Sequence, residues 1–215
     1  MAVECFLEVK LDSLYDLFKG CLEANYIHID DSADYAIEEK GNTLYIYLQC
    51  SRGVEDWINN FDFLPVTYKN LDGKALRCHK GFLRVFKAIE PMINPVLSSS
   101  TKERVVISGY SHGGAVAALC YEYVISIRPD LSENYFGYGF GAPRILYGRR
   151  SIVVADRWKN FVTVRNRDDI VTHLPPRAFG YFHPGKIIEI GCRGKYTRFD
   201  AHRPENILAE LRELS

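Results

Sequence analysis

The chain has 215 residues, of which 47% are hydrophobic and 25% charged, and its 27 basic residues balance 27 acidic ones to a formal net charge of zero. This length is enough for one substantial hydrophobic core, so we expect residues 1–215 to form a single domain. The balanced charge excludes a global positive field that would attract nucleic acid or an anionic membrane, and no nucleic-acid partner is expected.

The first ten residues differ from a secretory signal, because they carry acids where such a signal is basic and lack a long apolar segment. No uncharged apolar stretch reaches the roughly 20 residues that span a bilayer, so a lipid substrate would be met by transient contact with its surface. The six cysteines form no Cys-x-x-Cys pair, which favours free thiols. Together these features predict a cytoplasmic location.

The N-terminal part of the chain alternates predicted helices and strands. Apolar residues at helical spacing predict a helix over 11–22, within an outer N-terminal helical segment at 1–25. Aromatic and branched residues predict a strand over 44–49. The acids that follow Gly53 suit the first turn of a further helix, where negative charge is stabilised by the helix dipole.

The middle of the chain contains the most informative segment. Residues 79–97 have an apolar helical face and predict a helix, bent where Pro91 and Pro95 interrupt it. Residues 104–109 are a run of β-branched and small residues, which is typical of a central strand buried on both faces. A helix follows at once and is predicted to end at Pro129.

The C-terminal part predicts three further strands and a closing helix, at 135–140, 160–165, 186–190 and 204–214 respectively. Strands that alternate with helices in this way favour a layered α/β fold with a mostly parallel central sheet. The absence of repeats, low-complexity tracts and linker-like stretches agrees with one domain.

The segment Gly109-Tyr110-Ser111-His112-Gly113 matches Gly-x-Ser-x-Gly and lies between a predicted buried strand and a predicted helix. In that context the turn forces the serine into a strained backbone conformation and exposes its hydroxyl. The glycines are needed because side chains there would collide with the neighbouring strand or helix. The pattern therefore predicts that Ser111 is a catalytic nucleophile.

A serine hydroxyl becomes reactive only when a base removes its proton, so the hypothesis requires a histidine and an orienting acid. Hydrolases with this motif order the three residues as serine, acid, histidine. Among the six histidines, His202 alone lies between the last strand and the terminal helix, and we predict it as the base. Asp168 and Asp169 follow a strand at the sheet edge where sites gather and are the leading acids; Asp156 and Asp200 are weaker alternatives.

Several segments resemble the class 3 lipase family, in the same order, across about residues 43 to 203. They are Asp56-Trp57-Ile58-Asn59-Asn60, His79-Lys80-Gly81-Phe82, residues 109–114, Phe140-Gly141-Ala142-Pro143-Arg144 and residues 169–176. The resemblance implies an α/β-hydrolase-type three-layer fold. It also implies that Asp169, rather than Asp168, is the triad acid, and it agrees with His202 as the base.

The family resemblance also implies an oxyanion hole. One donor is the backbone amide of the residue after the nucleophile, here His112, and the other is a Ser or Thr upstream, here Ser51. Cys50 precedes Ser51 at a position where the family usually has glycine, and this difference affects the backbone that presents the second donor.

The remaining histidines predict no second site. His79 and His183 flank glycine turns that resemble scaffold motifs of the family, and we interpret both as structural. The side chain of His112 cannot fold back onto its neighbour Ser111. Cys78 and His79 are adjacent rather than spaced for a shared metal, and we expect neither a metal nor a cofactor.

The predicted chemistry is hydrolysis of a carboxylic ester, of a lipid or another acyl substrate, through an acyl-enzyme on Ser111. Two alternatives remain open: a non-catalytic, lipase-like binding or regulatory module, and an acyltransferase or thioesterase that uses the same serine. Only 59–78 separates the two family segments between which a lid lies, and the alternating apolar residues at 61–68 suit a strand. We therefore predict an open cleft that accepts soluble short-chain or medium-chain esters. The oligomeric state is not indicated.

Overall fold

The computed structural model describes residues 11–30, 33–49, 63–69, 73, 75–131, 133–148 and 157–214. The predicted helix start after Gly53 and the candidate residues Ser51 and Asp156 lie outside these described residues. Because of these gaps, the assignment of the whole chain to one domain stays a prediction.

The described residues form four α-helices and eleven β-strands. In chain order they are α1 (Leu11–Glu23), β1 (Ile27–Asp30), β2 (Ala33–Lys40), β3 (Thr43–Gln49), β4 (Pro65–Lys69), β5 (Ala75–His79), α2 (Lys80–Ser99), β6 (Arg104–Tyr110), α3 (His112–Ile127), β7 (Tyr135–Phe140), β8 (Leu146–Tyr147), β9 (Phe161–Asn166), β10 (Tyr181–Phe182), β11 (Lys186–Ile190) and α4 (Pro204–Glu213).

A central sheet has the strand order β1-β2-β3-β6-β7-β9-β11. The five strands from β3 to β11 pair in parallel, whereas β1 and β2 are added antiparallel at one edge. Parallel strands require crossover connections, and helices α2 and α3, which lie between parallel strands in the chain, cover one face of the sheet, whereas the terminal helices α1 and α4 cover the other. The predicted layered α/β fold with a mostly parallel sheet is therefore confirmed.

The two faces of the sheet are covered by different pairs of helices. Phe18 of α1 and Leu211 of α4 pack in one apolar cluster, which includes Val106 of β6. Phe86 of α2 packs with helix α3 in a second cluster, which includes the next residue of β6, Ile107. Because successive side chains of a strand point to opposite faces, β6 needs apolar residues at both positions, and this explains its continuous apolar run.

Helix α2 continues through both of its prolines. Its buried side chains, among them Phe82, Ile89 and Ile93, form one face, whereas Pro91 and Pro95 lie on the exposed face. A proline leaves a helix carbonyl without its usual donor, and on the exposed face water can hydrogen-bond to that carbonyl. The positions of the prolines explain why α2 does not end at either one.

Two parts of the architecture are not predicted from the sequence. One is the hairpin of β1 and β2, whose second strand reads Ala-Asp-Tyr-Ala-Ile-Glu-Glu-Lys and has too many charges for a clear strand pattern. The other is a small antiparallel sheet with the order β10-β8-β5-β4. Its strand β4 lies partly in the segment whose alternation suits a strand, but β8 and β10 have two residues each, too few for any periodicity to show.

Candidate functional site

Ser111 lies in the turn between the end of β6 and the start of α3. Its backbone has φ 54° and ψ −122°, and it is the one non-glycine residue with positive φ in the described part of the chain. A side chain in such a region costs about 1–3 kcal/mol, and this strain is retained only where the surrounding structure enforces it. The backbone amide of Ser111 donates to the carbonyl of Phe140, with a distance of 2.8 Å, which ties the turn to the neighbouring strand.

The glycines on either side of Ser111 are required by close backbone contacts. A Cβ atom at Gly109 would overlap the carbonyl group of Gly113, and a Cβ at Gly113 would overlap that of Leu48 on β3. Helix α3 can approach the sheet closely only because these positions carry no side chain. The tight turn predicted from the glycine spacing is therefore present.

Ser111, His202 and Asp169 form a continuous chain of hydrogen bonds. His202 Nε2 lies 2.8 Å from Ser111 Oγ, and His202 Nδ1 lies 2.8 Å from Asp169 Oδ2. All three side chains are buried, with Asp169 fully inaccessible. Because a carboxylate only accepts, Nδ1 carries the proton toward Asp169, and Nε2 is then the acceptor for the serine hydroxyl. This arrangement can remove the proton from the serine.

The loop after β9 orients Asp169. Its Oδ1 accepts a hydrogen bond of 2.9 Å from the amide of Val171, and its carbonyl accepts one of 2.8 Å from the Thr172 hydroxyl. The competing acids have other partners: Asp168 accepts from the amide of Gly194, and Asp200 contacts Thr197 and Arg203. Of the described acids left open by chain order, Asp169 is the one placed against His202.

Tyr110 supports the imidazole of His202 and was not singled out by the sequence analysis. Its hydroxyl donates a hydrogen bond of 2.6 Å to the carbonyl of His202. Its ring stacks on the imidazole, with 5.2 Å between ring centres and 24° between planes. Tyr110 occupies a position of the Gly-x-Ser-x-Gly motif that accepts any residue, so the motif does not predict this role. The contact also joins residues that are ninety-two positions apart in the sequence.

Two backbone features complete the support for His202. Gly141 has φ +58°, and a Cβ there would lie 3.1 Å from the imidazole Cε1 and 3.3 Å from Asp169 Oδ2. Asn166, at the end of β9, donates from its side chain to the carbonyl of Ala201 over 3.0 Å. These contacts hold the histidine loop against the strand that leads to the acid.

His112 is the first residue of α3, so its amide lies at the positive end of the helix dipole, beside Ser111. Its side chain is buried and packs edge-on against Phe82, with 4.8 Å between ring centres. Burial lowers the pKa of His112 to about 3, with smaller electrostatic contributions from His79 and Arg84. The side chain is therefore neutral at physiological pH, and the residue can serve an oxyanion through its backbone. Ser51 lies outside the described residues.

The other histidines have structural contacts. His79 accepts from the amide of Gly81 and caps α2, and His183 Nε2 donates to the carbonyl of Thr172 over 2.9 Å. His28 Nδ1 lies 2.5 Å from Asp34 Oδ1 at the edge of the sheet. Within the described residues no group of three His, Cys, Asp or Glu side chains is arranged to hold a metal ion. The same residues include no helix that is both long and apolar enough to cross a membrane.

Comparison with known proteins gives consistent matches. A family model described as Lipase (class 3) matches residues 45–179. A lipase from Rhizomucor miehei is 32% identical over 162 residues, which cover 73% of this chain and 44% of that lipase. Secreted mono- and diacylglycerol lipase 1 of Fusarium solani is 30% identical over 160 residues, which cover 69% of this chain and 44% of that protein. The chain therefore spans less than half the length of these relatives.

A solved triacylglycerol lipase, described as having a catalytic centre formed by a serine protease triad, matches the fold with a TM-score of 0.68. The match is 23% identical in sequence and covers 83% of this chain and 78% of that chain. At this identity the likeness concerns the fold alone. It confirms that the predicted α/β-hydrolase-type three-layer fold is correct.

The prediction of a cytoplasmic location is wrong on these comparisons, because the relative from Fusarium solani is named a secreted lipase. The prediction relied in part on free thiols, and Cys21, Cys78, Cys120 and Cys192 are indeed free. However, burial raises the pKa of Cys21 to about 11 and that of Cys78 to about 12. Such buried thiols are unreactive in any compartment, so they carry no information about location.

Proposed function

The chain belongs to the class 3 lipase family, and we propose that it is a serine hydrolase that cleaves carboxylic esters of lipids through an acyl-enzyme on Ser111. One observation carries the proposal, namely the hydrogen-bonded chain from Ser111 Oγ through His202 to Asp169, with both distances at 2.8 Å. Nucleophile, base and orienting acid are already within the contact distances that the chemistry requires.

The reaction proceeds in two halves. His202 Nε2 takes the hydroxyl proton as Ser111 Oγ attacks the ester carbonyl, and Asp169 stabilises the imidazolium that results. The same nitrogen then protonates the leaving alcohol, which leaves an acyl group on the serine. Water, deprotonated by His202, attacks this acyl-enzyme and releases the carboxylic acid and the free serine.

The negative charge of the tetrahedral intermediate needs hydrogen-bond donors that are already in position. We propose the backbone amide of His112 as one donor, because it lies at the N-terminus of α3 next to the nucleophile. Ser51 is proposed as the second donor on the family resemblance alone. No cofactor takes part in this scheme.

We propose that the substrates are acyl esters of glycerol. The name of the Fusarium solani relative, a mono- and diacylglycerol lipase, supports this class. The narrower prediction of soluble short-chain or medium-chain esters and an open cleft stays a prediction, since it depends on residues 59–78. This prediction can be tested by measuring hydrolysis rates across a p-nitrophenyl ester series, below and above the solubility limit of each ester. A jump in rate only above that limit would contradict the open cleft.

Covalent labelling with a fluorophosphonate tests the proposed nucleophile. We expect the wild-type chain to be labelled and Ser111→Ala to remain unlabelled, while Ser98→Ala, which changes an exposed serine of α2, is labelled at the wild-type rate. Labelling that survives in Ser111→Ala contradicts the assignment. A folded wild-type chain that is not labelled favours the non-catalytic binding module instead. Product analysis in the presence of an acceptor alcohol or thiol distinguishes hydrolysis from acyl transfer.

We propose further that the protein acts outside the cell, as the name of the secreted Fusarium solani relative supports. Activity against a glycerol ester is then expected in the culture medium rather than in washed cells. Activity that remains entirely with the cells overturns this location.

A further inference from the structure

A pocket separate from the Ser111 hydroxyl lies between the central sheet and the small sheet. Its volume is about 330 Å³. Arg144, Arg165 and Arg177 line it together with Tyr181, His183 and Ile187. Arg165 lies on β9 opposite Glu189 of β11, on the sheet face away from α1 and α4. The proposed reaction does not use any of these side chains.

The pocket is rich in positive charge. The pKa of Arg144 is lowered by burial and by the neighbouring positive charges of Arg165 and Arg177, so the guanidinium of Arg144 is repelled by both of the others. Glu189 is the carboxylate that pairs with Arg165, and it is shared with Arg167, which lies 3.5 Å away. None of the described residues that line the pocket is acidic, so this one exposed, shared carboxylate leaves the lining with a net positive charge. Positive charge in a confined low-dielectric space attracts anions.

Hydrogen-bonding capacity in the pocket is incompletely used. The side chain of Arg177 forms no hydrogen bond or ion pair within the described residues, and it lies in an exposed turn at the pocket edge. Arg165 Nε, a donor, is buried and also has no partner there. Buried polar atoms are normally hydrogen-bonded, so unpartnered atoms of this kind around a cavity indicate a ligand or ordered water.

Arg144, in contrast, is fixed in place. Its Nη1 donates to the carbonyl of Pro175 over 2.9 Å and to the carbonyl of His173. These two contacts hold one edge of the guanidinium against the loop after Asp169. The orientation of the whole guanidinium group is therefore set by the protein. A fixed arginine loses less entropy on binding a ligand than a freely rotating one.

We propose that this pocket binds a small organic phosphate through Arg177, Arg165 and Arg144. Guanidinium groups form paired hydrogen bonds with phosphate oxygens, and several arginines around one cavity match the several oxygens of a phosphate monoester. The volume is at the lower end of the range for ligand pockets and exceeds what bare phosphate needs. Tyr181, Phe182 and Ile187 provide an apolar wall for the organic part of the ligand.

Equilibrium dialysis of the purified chain with inorganic phosphate and with phenyl phosphate, at constant ionic strength, tests the proposal. We expect saturable binding of both, tighter for phenyl phosphate because of the apolar wall. Arg177→Gln should weaken binding about tenfold or more, since it removes a charge-assisted contact, and Arg177→Lys should recover part of the loss. Arg104→Gln is the matched control, because it removes the same charge from the first residue of β6, which does not line the pocket.

A second arm distinguishes a free phosphate from a lipid headgroup. Vesicles of phosphatidylcholine with phosphatidic acid are compared with pure phosphatidylcholine in a flotation assay, with phenyl phosphate as competitor. Recruitment that depends on Arg177 and is displaced by phenyl phosphate identifies the headgroup as the source of the ligand; binding of the free phosphates without recruitment identifies a soluble one. Two results overturn the proposal: no saturable binding of either phosphate, or equal weakening by Arg177→Gln and Arg104→Gln.

The phosphate site does not depend on the proposed hydrolase activity. Ester hydrolysis by Arg177→Gln should remain near the wild-type rate, because neither Ser111 nor His202 lines the pocket and Arg177 takes no part in their hydrogen bonds. A chain that binds phenyl phosphate without hydrolysing esters would leave this inference intact and contradict only the proposed function.

Discussion

At the residue scale, the structure brings together side chains from three separate parts of the sequence. Ser111 lies on a strained turn, Asp169 on the loop after β9, and His202 on the turn that leads into α4. Each is held by backbone contacts, and His202 is hydrogen-bonded to both of the others. Such preorganisation matters because a small misplacement of a catalytic group lowers the rate strongly.

The choice between the two adjacent acids can be tested directly. Asp169→Asn should lower the acylation rate about 10⁴-fold, as loss of the orienting carboxylate does in other serine triads. Asp168→Asn should leave the rate near the wild-type value, because Asp168 accepts from the amide of Gly194 and has no contact with the imidazole. Stopped-flow measurement of acylation by a p-nitrophenyl ester provides both rates. A larger loss in Asp168→Asn would reverse the assignment.

Tyr110 is a positioning residue for His202 because it acts through the imidazole and its backbone. In Tyr110→Phe the ring stack remains and the hydrogen bond to the His202 carbonyl is lost. We expect kcat to fall about fivefold to tenfold with little change in KM, since a buried hydrogen bond contributes about 1 kcal/mol. Tyr138→Phe on the next strand is the control. Equal changes in kcat and KM would mean that the hydroxyl has no specific effect on the imidazole.

At the element scale, α4 links the site to the core, because it begins two residues after His202 and packs on the sheet through buried side chains. Leu211→Ala, at a position that is 1% exposed, should lower the free energy of unfolding by about 2–5 kcal/mol through the lost burial and the cavity left behind. Leu214→Ala, just beyond the helix and 43% exposed, should change it by less than about 0.5 kcal/mol. Urea denaturation measures both. Similar values for the two variants would show that α4 is not docked as described.

At the scale of the whole molecule, two buried neutral histidines make stability depend on pH. Burial lowers the pKa of both His112 and His183 to about 3, whereas an unfolded histidine titrates near 6.5. Between these values the unfolded chain binds more protons than the folded chain, so acid favours unfolding. The stability that these neutral side chains provide is fully present above about pH 6.5 and is lost as the pH falls toward 3.

His183→Gln, which keeps a donor for the Thr172 carbonyl, isolates one of these contributions. We expect its free energy of unfolding to fall less steeply with acid than that of the wild type, by up to about 1.4 kcal/mol per pH unit between about pH 6 and 4. Urea unfolding at a series of pH values measures the two slopes. Ser98→Ala, which changes an exposed side chain that does not titrate, is the control. Parallel slopes for His183→Gln and the wild type would show that His183 is charged in the folded chain.

Local patterns in the sequence determined the elements that are long and strongly periodic. Three patterns were clear enough to predict the element that contains them. They are the continuous apolar run of β6, the glycine pair around Ser111, and the amphipathic faces of α1 and α4. The position of His202 between the last strand and α4 was likewise readable, since chain order and family resemblance agree. The short strands β8 and β10 and the charged β2 had no such pattern.

Contacts between distant parts of the chain were decided by the tertiary structure. Asp168 and Asp169 are equivalent by composition and chain order. The family resemblance implies Asp169, and the fold directs its carboxylate to the imidazole and that of Asp168 to Gly194. The stacking of Tyr110 on His202 likewise depends on how β6 packs against the turn before α4. The convergence of Arg144, Arg165 and Arg177 on one pocket depends on the pairing of two sheets. Sequence periodicity indicates which face of its own helix or strand a residue lies on. The contacts described here join different elements, and their distances are determined by how those elements pack.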